Sequence, residues 1–561
     1  MSDAGLLTPP LSESELPLAD EVQLKTKPGR DAACAAVFER KMGETELSYY
    51  LPSRESGVND MYLHLGFRAP HRLVRRARVN TVWAILRLRH PLLSASVEMH
   101  GYNDVRFVYA APGSPDDLLQ DADANLEYRS QPKEALIDSY LNGPRTLSNS
   151  RLSYLVVSHA EETGMPTPPL TPLPDAASGQ LSAMQSETSQ DPTHDLLICA
   201  MHFIGDGMAL HTFANEFFGL LGSDKDDAEL RTILDDEWQT RWGTAIDDAS
   251  VLPSALEDQM PMQWSRLRSL AALAAGIDFQ MSQQKLVGGQ VFPRRKHPER
   301  RTVVPTLAFS EARTKAMLKK CKANGVSLSA AIFAICNVAW ARVGGGAKEL
   351  PMLMYSALNL RPYFTVKRPS PWDSYWFIAI GYFNVVLPSF LPQDKNKVEA
   401  IFWHRARQAK QQSAQAAKHP LLVSRTHEMA KERGERSRAF AKEDDERANG
   451  TWVPPAPAAR SPVPARESVL PAREKASAAA LIGLSLLGNL DGMYKHAAFP
   501  AIKLHTLTTG SRQRHGAMLL FGYTFVGKLW LSLGYDANGF PEGVVDKFWT
   551  EAVGAVEEFI G

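Results

Sequence analysis

Residues 195–201, DLLICAM, form an unbroken apolar run between polar neighbours, the pattern of a strand buried on both faces. HFIGDG follows at once, and residues 208–221 then place Leu210, Phe213, Phe217 and Leu220 on one helical face. A buried strand therefore runs into an amphipathic helix through a short polar joint. Joints of this kind carry chemistry because a rigid scaffold positions them.

The alternation recurs along the chain. Residues 73–89 have helical spacing through Val79, Val82, Trp83, Leu86 and Leu88, and Pro91 ends that helix. Residues 105–110 and 152–158 read as strands. In the second half, strands are expected at 302–309, 352–358, 378–387, 481–487, 517–526 and 529–535, the last two joined as a hairpin at Gly527 and Lys528. Helices are expected at 310–324, closed by Gly325, at 326–343, and at the C-terminus, where Val545, Phe548, Trp549, Ala552 and Val556 face inward. This order gives an α/β class with two lobes of similar make-up.

Two stretches interrupt the pattern. Residues 161–192 are crowded with Pro, Thr, Ser and Ala, and residues 428–471 pass from the charge-dense ERGERSRAFAKEDDER into Pro/Ala/Arg repeats. Neither composition offsets the entropy of ordering, so solvated insertions are expected, mobile over 161–192 and 443–471. The expected layout is an N-terminal arm over 1–40, an N-terminal lobe over 41–295 and a C-terminal lobe over 296–561.

Size and charge exclude some functions. A chain of 561 residues suffices for one enzyme of two large lobes. Lys plus Arg and Asp plus Glu are 62 each, so nothing here calls for nucleic acid or an anionic membrane. Cys34, Cys199, Cys321 and Cys336 show neither metal-ligand nor disulfide-framework spacing, which fits a reduced compartment. With no apolar segment in the first thirty residues and no run of about 18 apolar residues, a cytoplasmic chain without a membrane span is expected.

The joint itself supplies the candidate chemistry. A histidine works as a general base near neutral pH when its ring is held by a fixed partner, and His202 ends the buried strand. Gly205 and Gly207 are expected to permit a tight, left-handed turn that exposes the ring. Asp206, four residues on, needs a cationic partner if it is buried and charged. Two readings stay open from these residues alone: a base with a supporting carboxylate, or a core histidine followed by a helix-capping aspartate.

HFIGDG after an apolar strand resembles the His-x-x-x-Asp-Gly signature of the superfamily of chloramphenicol acetyltransferase, plant BAHD acyltransferases and peptide-synthetase condensation domains. LRLRHPLLSASV (86–97), VSLSAAIFAICNVAWARV (326–343) and SALNLRPYF (356–364) resemble further segments of that superfamily. YYLPSRE, NLRPYF, GYFNVVLP and LSLLGNLDGMYKH are most similar to the fungal trichothecene 15-O-acetyltransferase group. The resemblance implies a two-lobed fold, each lobe a mixed sheet flanked by helices, with the catalytic residue in a tunnel between them. It implies O-acyl transfer, acetyl in the first instance, from acyl-CoA to a hydroxyl of a fungal secondary metabolite such as a trichothecene-like sesquiterpenoid. His202 is then the catalytic base. Asp206, Gly207 and Arg361 are structural, with Asp206 paired to Arg361 across the lobes.

Acyl-CoA would be a co-substrate rather than a bound cofactor, no residue is assigned to coenzyme contacts, and no metal is expected. The partners expected are the alcohol and acyl-CoA alone, with the chain a monomer. The Asp-Phe-Gly-Trp-Gly segment of plant BAHD enzymes is absent, LLGNLDG (486–492) being its nearest equivalent. Met201 stands where condensation domains carry the first of two histidines. Rival readings are a carrier-protein-dependent, condensation-type enzyme and a catalytically silent binding protein of the same fold. Gly483, Leu484 and Ser485 approach a nucleophile elbow, but Leu487 replaces its second glycine. Gly344 to Gly346 read as a helix end, and Arg405, Arg407 and Lys410 as a solvated charged face.

Overall fold

The computed structural model describes residues 36–159, 191–243, 251–260, 268–344, 348–364, 370–454 and 478–561. Residues 1–35, 161–190 and 455–471 of the expected arm and insertions lie outside the described residues, and so does Cys34. In the first half the strands are β1 (Val37–Lys41), β2 (Met61–Arg68), β3 (Ser96–Gly101), β4 (Asp104–Ala110), β5 (Leu126–Arg129), β6 (Ser153–Ser158) and β7 (Thr193–Ala200). In the second half they are β8 (Thr302–Val303), β9 (Thr306–Ala308), β10 (Met352–Asn359), β11 (Ile380–Leu387), β12 (Ile482–Asn489), β13 (Lys503–Ser511), β14 (Met518–Phe525) and β15 (Lys528–Asp536).

Two large mixed sheets organise the chain. One has five strands in the order β13-β2-β7-β6-β5, parallel only between β5 and β6. The other runs β11-β10-β12-β14-β15-β8, with β9 also on β15, and its β10-β12 and β12-β14 pairs are parallel. A small antiparallel sheet, β1-β4-β3, stands apart. β7 is central in the five-stranded sheet, where Ile198 faces Leu63 of β2 and Leu155 of β6. This placement explains its unbroken apolar run.

Each large sheet has its own core. The first gathers Leu47, Tyr50, Trp83, Phe203, Phe213 and Phe217, and the second Trp340, Phe402, Leu531 and Phe548. Full burial of such a side chain contributes about 1.5–3 kcal/mol. Among the described residues no single helix is long and apolar enough to cross a membrane.

Three expectations need correction. β13 follows residue 295 by more than two hundred positions, yet it hydrogen-bonds along β2 and completes the edge of the first sheet. Strand partners are not written in local pattern, so a division at one residue misses this return. Residues 37–41, partly within the expected arm, pair with β4. Residues 428–448, read as core-less, belong to the helix Leu422–Ala448. Its Ala430, Gly434, Ser437 and Ala441 are buried, a stripe of small residues that lets it lie close to the helix Glu44–Ser53. A Cβ on Gly434 would overlap Glu44 Oε2, so any larger residue there would have to displace the Glu44 carboxylate.

The hairpin expected at Gly527 is present, with Val526 (φ 47°) and Gly527 (φ 70°) both left-handed in a two-residue turn between β14 and β15. Ser485 lies within β12 opposite Phe521, not on a strand-to-helix turn, so no nucleophile elbow forms there.

Candidate active site

β7 ends at Ala200, and His202 opens a 3-10 turn, His202–Ile204, before the helix Gly207–Leu221. Phe203 and Ile204 are buried in the first core and anchor the turn, which leaves the imidazole partly exposed. His202 Nδ1 lies 3.1 Å from the Gly205 carbonyl oxygen. A carbonyl only accepts, so Nδ1 carries the proton and Nε2 is left with the free lone pair. The Tyr49 ring packs on the imidazole at 4.4 Å between centroids and 30° between planes. Desolvation pushes the His202 pKa below its ordinary value, which keeps the ring neutral at physiological pH. The result is an oriented, neutral imidazole.

The glycines act differently from the expected left-handed turn. Gly205 has φ −176°, extended backbone open to any residue, and Gly207 is the first residue of the helix. What Gly205 provides is space: a Cβ there would stand 2.6 and 2.7 Å from Cε3 and Cζ3 of the buried Trp376. At Gly207 a Cβ would meet only Leu487 Cδ2, at 3.2 Å.

Asp206 joins both roles that the sequence left open. Its Oδ1 caps the helix by accepting from Ala209 N–H at 3.1 Å. Arg361 Nη1 reaches both carboxylate oxygens at 2.9 Å, and Ala379 N–H donates to Oδ2 at 2.8 Å. One guanidinium nitrogen thus spans the carboxylate, in place of a two-nitrogen fork. The other, Nη2, donates to the carbonyls of Tyr375 (3.1 Å) and Phe377 (3.0 Å). Arg361 follows β10 of the seven-stranded sheet, so the cluster ties the two sheets together. Asn359 Oδ1 accepts from Arg361 N–H and sets that turn.

A second network holds the 374–379 segment. Glu216, on the Gly207–Leu221 helix, accepts from Tyr375 and from His90 Nε2, and His90 Nδ1 meets Ser374 Oγ at 2.9 Å. Burial opposes the Glu216 charge, but those hydrogen bonds hold its carboxyl below the usual range. Both ends of the segment are thereby fixed against the helix that follows His202.

Sequence reasoning missed Tyr49, Trp376 and Tyr382, whose hydroxyl hydrogen-bonds that of Tyr49. Tyr49 and Tyr382 stand in YYLPSRE and GYFNVVLP, so the segments were visible and the roles were not. Arg405 is a correction: it is buried, donates to Asn337 Oδ1 at 2.7 Å and to the Phe390 carbonyl, and desolvation pushes its pKa to about 10. LLGNLDG forms a clamp, Asp491 accepting from Val526 N–H (2.6 Å) and Gly527 N–H (3.0 Å). Among the described residues no three His, Cys, Asp or Glu side chains gather as a metal site.

No protein-family model matches the chain, and no curated protein sequence matches it significantly. Solved structures do. TRI3, a trichothecene 15-O-acetyltransferase from Fusarium sporotrichioides, superposes with a TM-score of 0.65 at 13% identity, over 94% of this chain and 96% of that one. The condensation domain of the Monacolin K polyketide synthase MokA gives 0.51 at 10% identity, over 93% and 97%. The cyclization-docking bidomain of the peptide synthetase EpoB from Sorangium cellulosum gives 0.51 at 12%, over 93% and 85%. The chain therefore has the two-lobed chloramphenicol-acetyltransferase-like fold.

Proposed function

We propose that this protein is an O-acyltransferase that moves an acyl group, acetyl in the first instance, from acyl-CoA to a hydroxyl of a small secondary metabolite, with His202 as general base. The observation that carries this reading is the fixed tautomer: Gly205 occupies Nδ1, and Nε2 is free on a ring that burial keeps neutral. Nε2 takes the acceptor's hydroxyl proton as its oxygen attacks the thioester carbonyl. Collapse of the tetrahedral intermediate breaks the C–S bond, and the departing thiolate takes the proton from the imidazolium to leave as free CoA. Asp206 and Arg361 are positioning residues, since their charges are spent on each other and on backbone groups.

The similarity to a trichothecene 15-O-acetyltransferase supports a sesquiterpenoid alcohol as the first acceptor to try. Purified protein with acetyl-CoA and a panel of sesquiterpenoid and polyketide alcohols, read by mass spectrometry, tests the proposal. Acetylated product is expected. If product forms only when the acyl group arrives on a carrier protein, the condensation-type reading replaces this one, which the similarity to the MokA domain keeps in view. If neither donor gives product, the protein is a binding member of the fold.

A further inference from the structure

Arg433, on the helix Leu422–Ala448, lies over two aromatic rings at the junction of the sheets. Its Cζ is 5.3 Å from the Tyr49 ring centroid and 4.5 Å from that of Tyr382. Tyr49 is the ring packed on His202, so one aromatic side chain separates guanidinium from imidazole. Tyr355 of β10 adds a third phenol, 6.2 Å from Tyr382 between centroids.

Arg433 differs from the other little-exposed arginines in what its N–H groups reach. Arg40, Arg78, Arg87, Arg145, Arg361 and Arg438 each hold a carboxylate. Arg405 and Arg512 donate instead to amide and backbone carbonyl oxygens. The nearby acids are already used: Glu44 binds Arg438 at 2.7 and 2.8 Å, and Glu432 binds Arg436. Among the described residues no carboxylate is in ion-pair range of Arg433, whose hydrogen bond goes to the Tyr382 phenol.

We propose that Arg433 binds a carboxylate carried by the substrate that sits against His202, an inference that rests on the acyltransferase reading. The planar guanidinium suits a carboxylate, the rings shield it from water, and phenol hydroxyls donate further hydrogen bonds. The phosphates of CoA do not fit as the anion, because the pantetheine arm holds them far from the thioester. The carboxylate belongs either to the acceptor, a hydroxy acid, or to a dicarboxylic acyl group on the donor.

Calorimetric titration of the full chain separates these sources. In the acceptor arm, 4-(hydroxymethyl)benzoate is compared with its methyl ester; in the donor arm, succinyl-CoA with butyryl-CoA, without acceptor. In one arm the carboxylate should bind about tenfold tighter or more, the size expected of charged hydrogen bonds. Arg433→Gln should abolish that preference with little change in affinity for the uncharged partner. Arg433→Lys, which keeps the charge without the planar fork, should reduce it and serves as the second variant if Arg433→Gln melts early. No preference in either arm, or a preference that survives undiminished in the folded variants, would overturn the inference. Binding is read without turnover, so a failed transfer assay leaves this result standing and separately judged.

Discussion

Asp206 and Arg361, 155 positions apart, meet through one guanidinium nitrogen that spans both carboxylate oxygens at 2.9 Å. Asp206 is 2% and Arg361 21% exposed at the side chain, so the pair is largely withdrawn from water. Removing Arg361 strands a buried charge, and Arg361→Ala should cost about 3 kcal/mol in a range of 3–5 for buried pairs. Asp206→Asn should cost less, because an amide still caps Ala209. Urea melts of both single variants and the double variant should show strongly non-additive losses. Simple sums would mean that the contact carries no coupling.

Gly205→Ala tests the space beside Trp376. The added methyl would overlap the indole, and overpacking of this kind typically costs about 1–3 kcal/mol. Because the strain acts one turn from His202, kcat should fall as well. Trp376→Phe in the same chain should recover part of both losses. A silent Gly205→Ala would show that the 374–379 segment moves freely.

The joint at 202–207 was legible because it is local: an apolar strand, a histidine, a cap and an amphipathic helix follow one another within some twenty-five residues. Arg361 was legible only through resemblance. Tyr49, Tyr382 and Arg433 were not, since they come from three separate elements that only the fold brings together. β13 was recognisable neither as a strand nor as a partner of β2. The Leu422–Ala448 helix was misread for a physical reason. Its charge density suggested a solvated segment, while Ala430, Gly434, Ser437 and Ala441, spaced four, three and four apart, already marked one packing face.

Buried neutral histidines make the fold acid-sensitive. Desolvation pushes His211 to about 3 and His194 to about 4, well below the ordinary 6.5. Between those values and 6.5 the unfolded chain binds protons that the folded chain refuses. Stability is therefore complete above pH 6.5 and is lost as pH falls through that window. His211→Gln should flatten the dependence of unfolding free energy on pH between 6 and 4 by about 1.4 kcal/mol per pH unit, one proton's worth. An unchanged slope would place the titration elsewhere.

The pH dependence of transfer follows the same sign. Desolvation lowers the His202 pKa, so the base form persists below pH 6.5 and kcat/KM should stay level through neutrality. Its acid limb should fall beneath the ordinary histidine range. A limb centred above 6.5 would assign the base to another group.

Replacement of His202 tests the central claim most directly. With acetyl-CoA and an accepted alcohol, His202→Ala should lower kcat by about 10²- to 10⁴-fold while circular dichroism and melting stay close to wild type. Wild-type kcat in that folded variant would contradict the account.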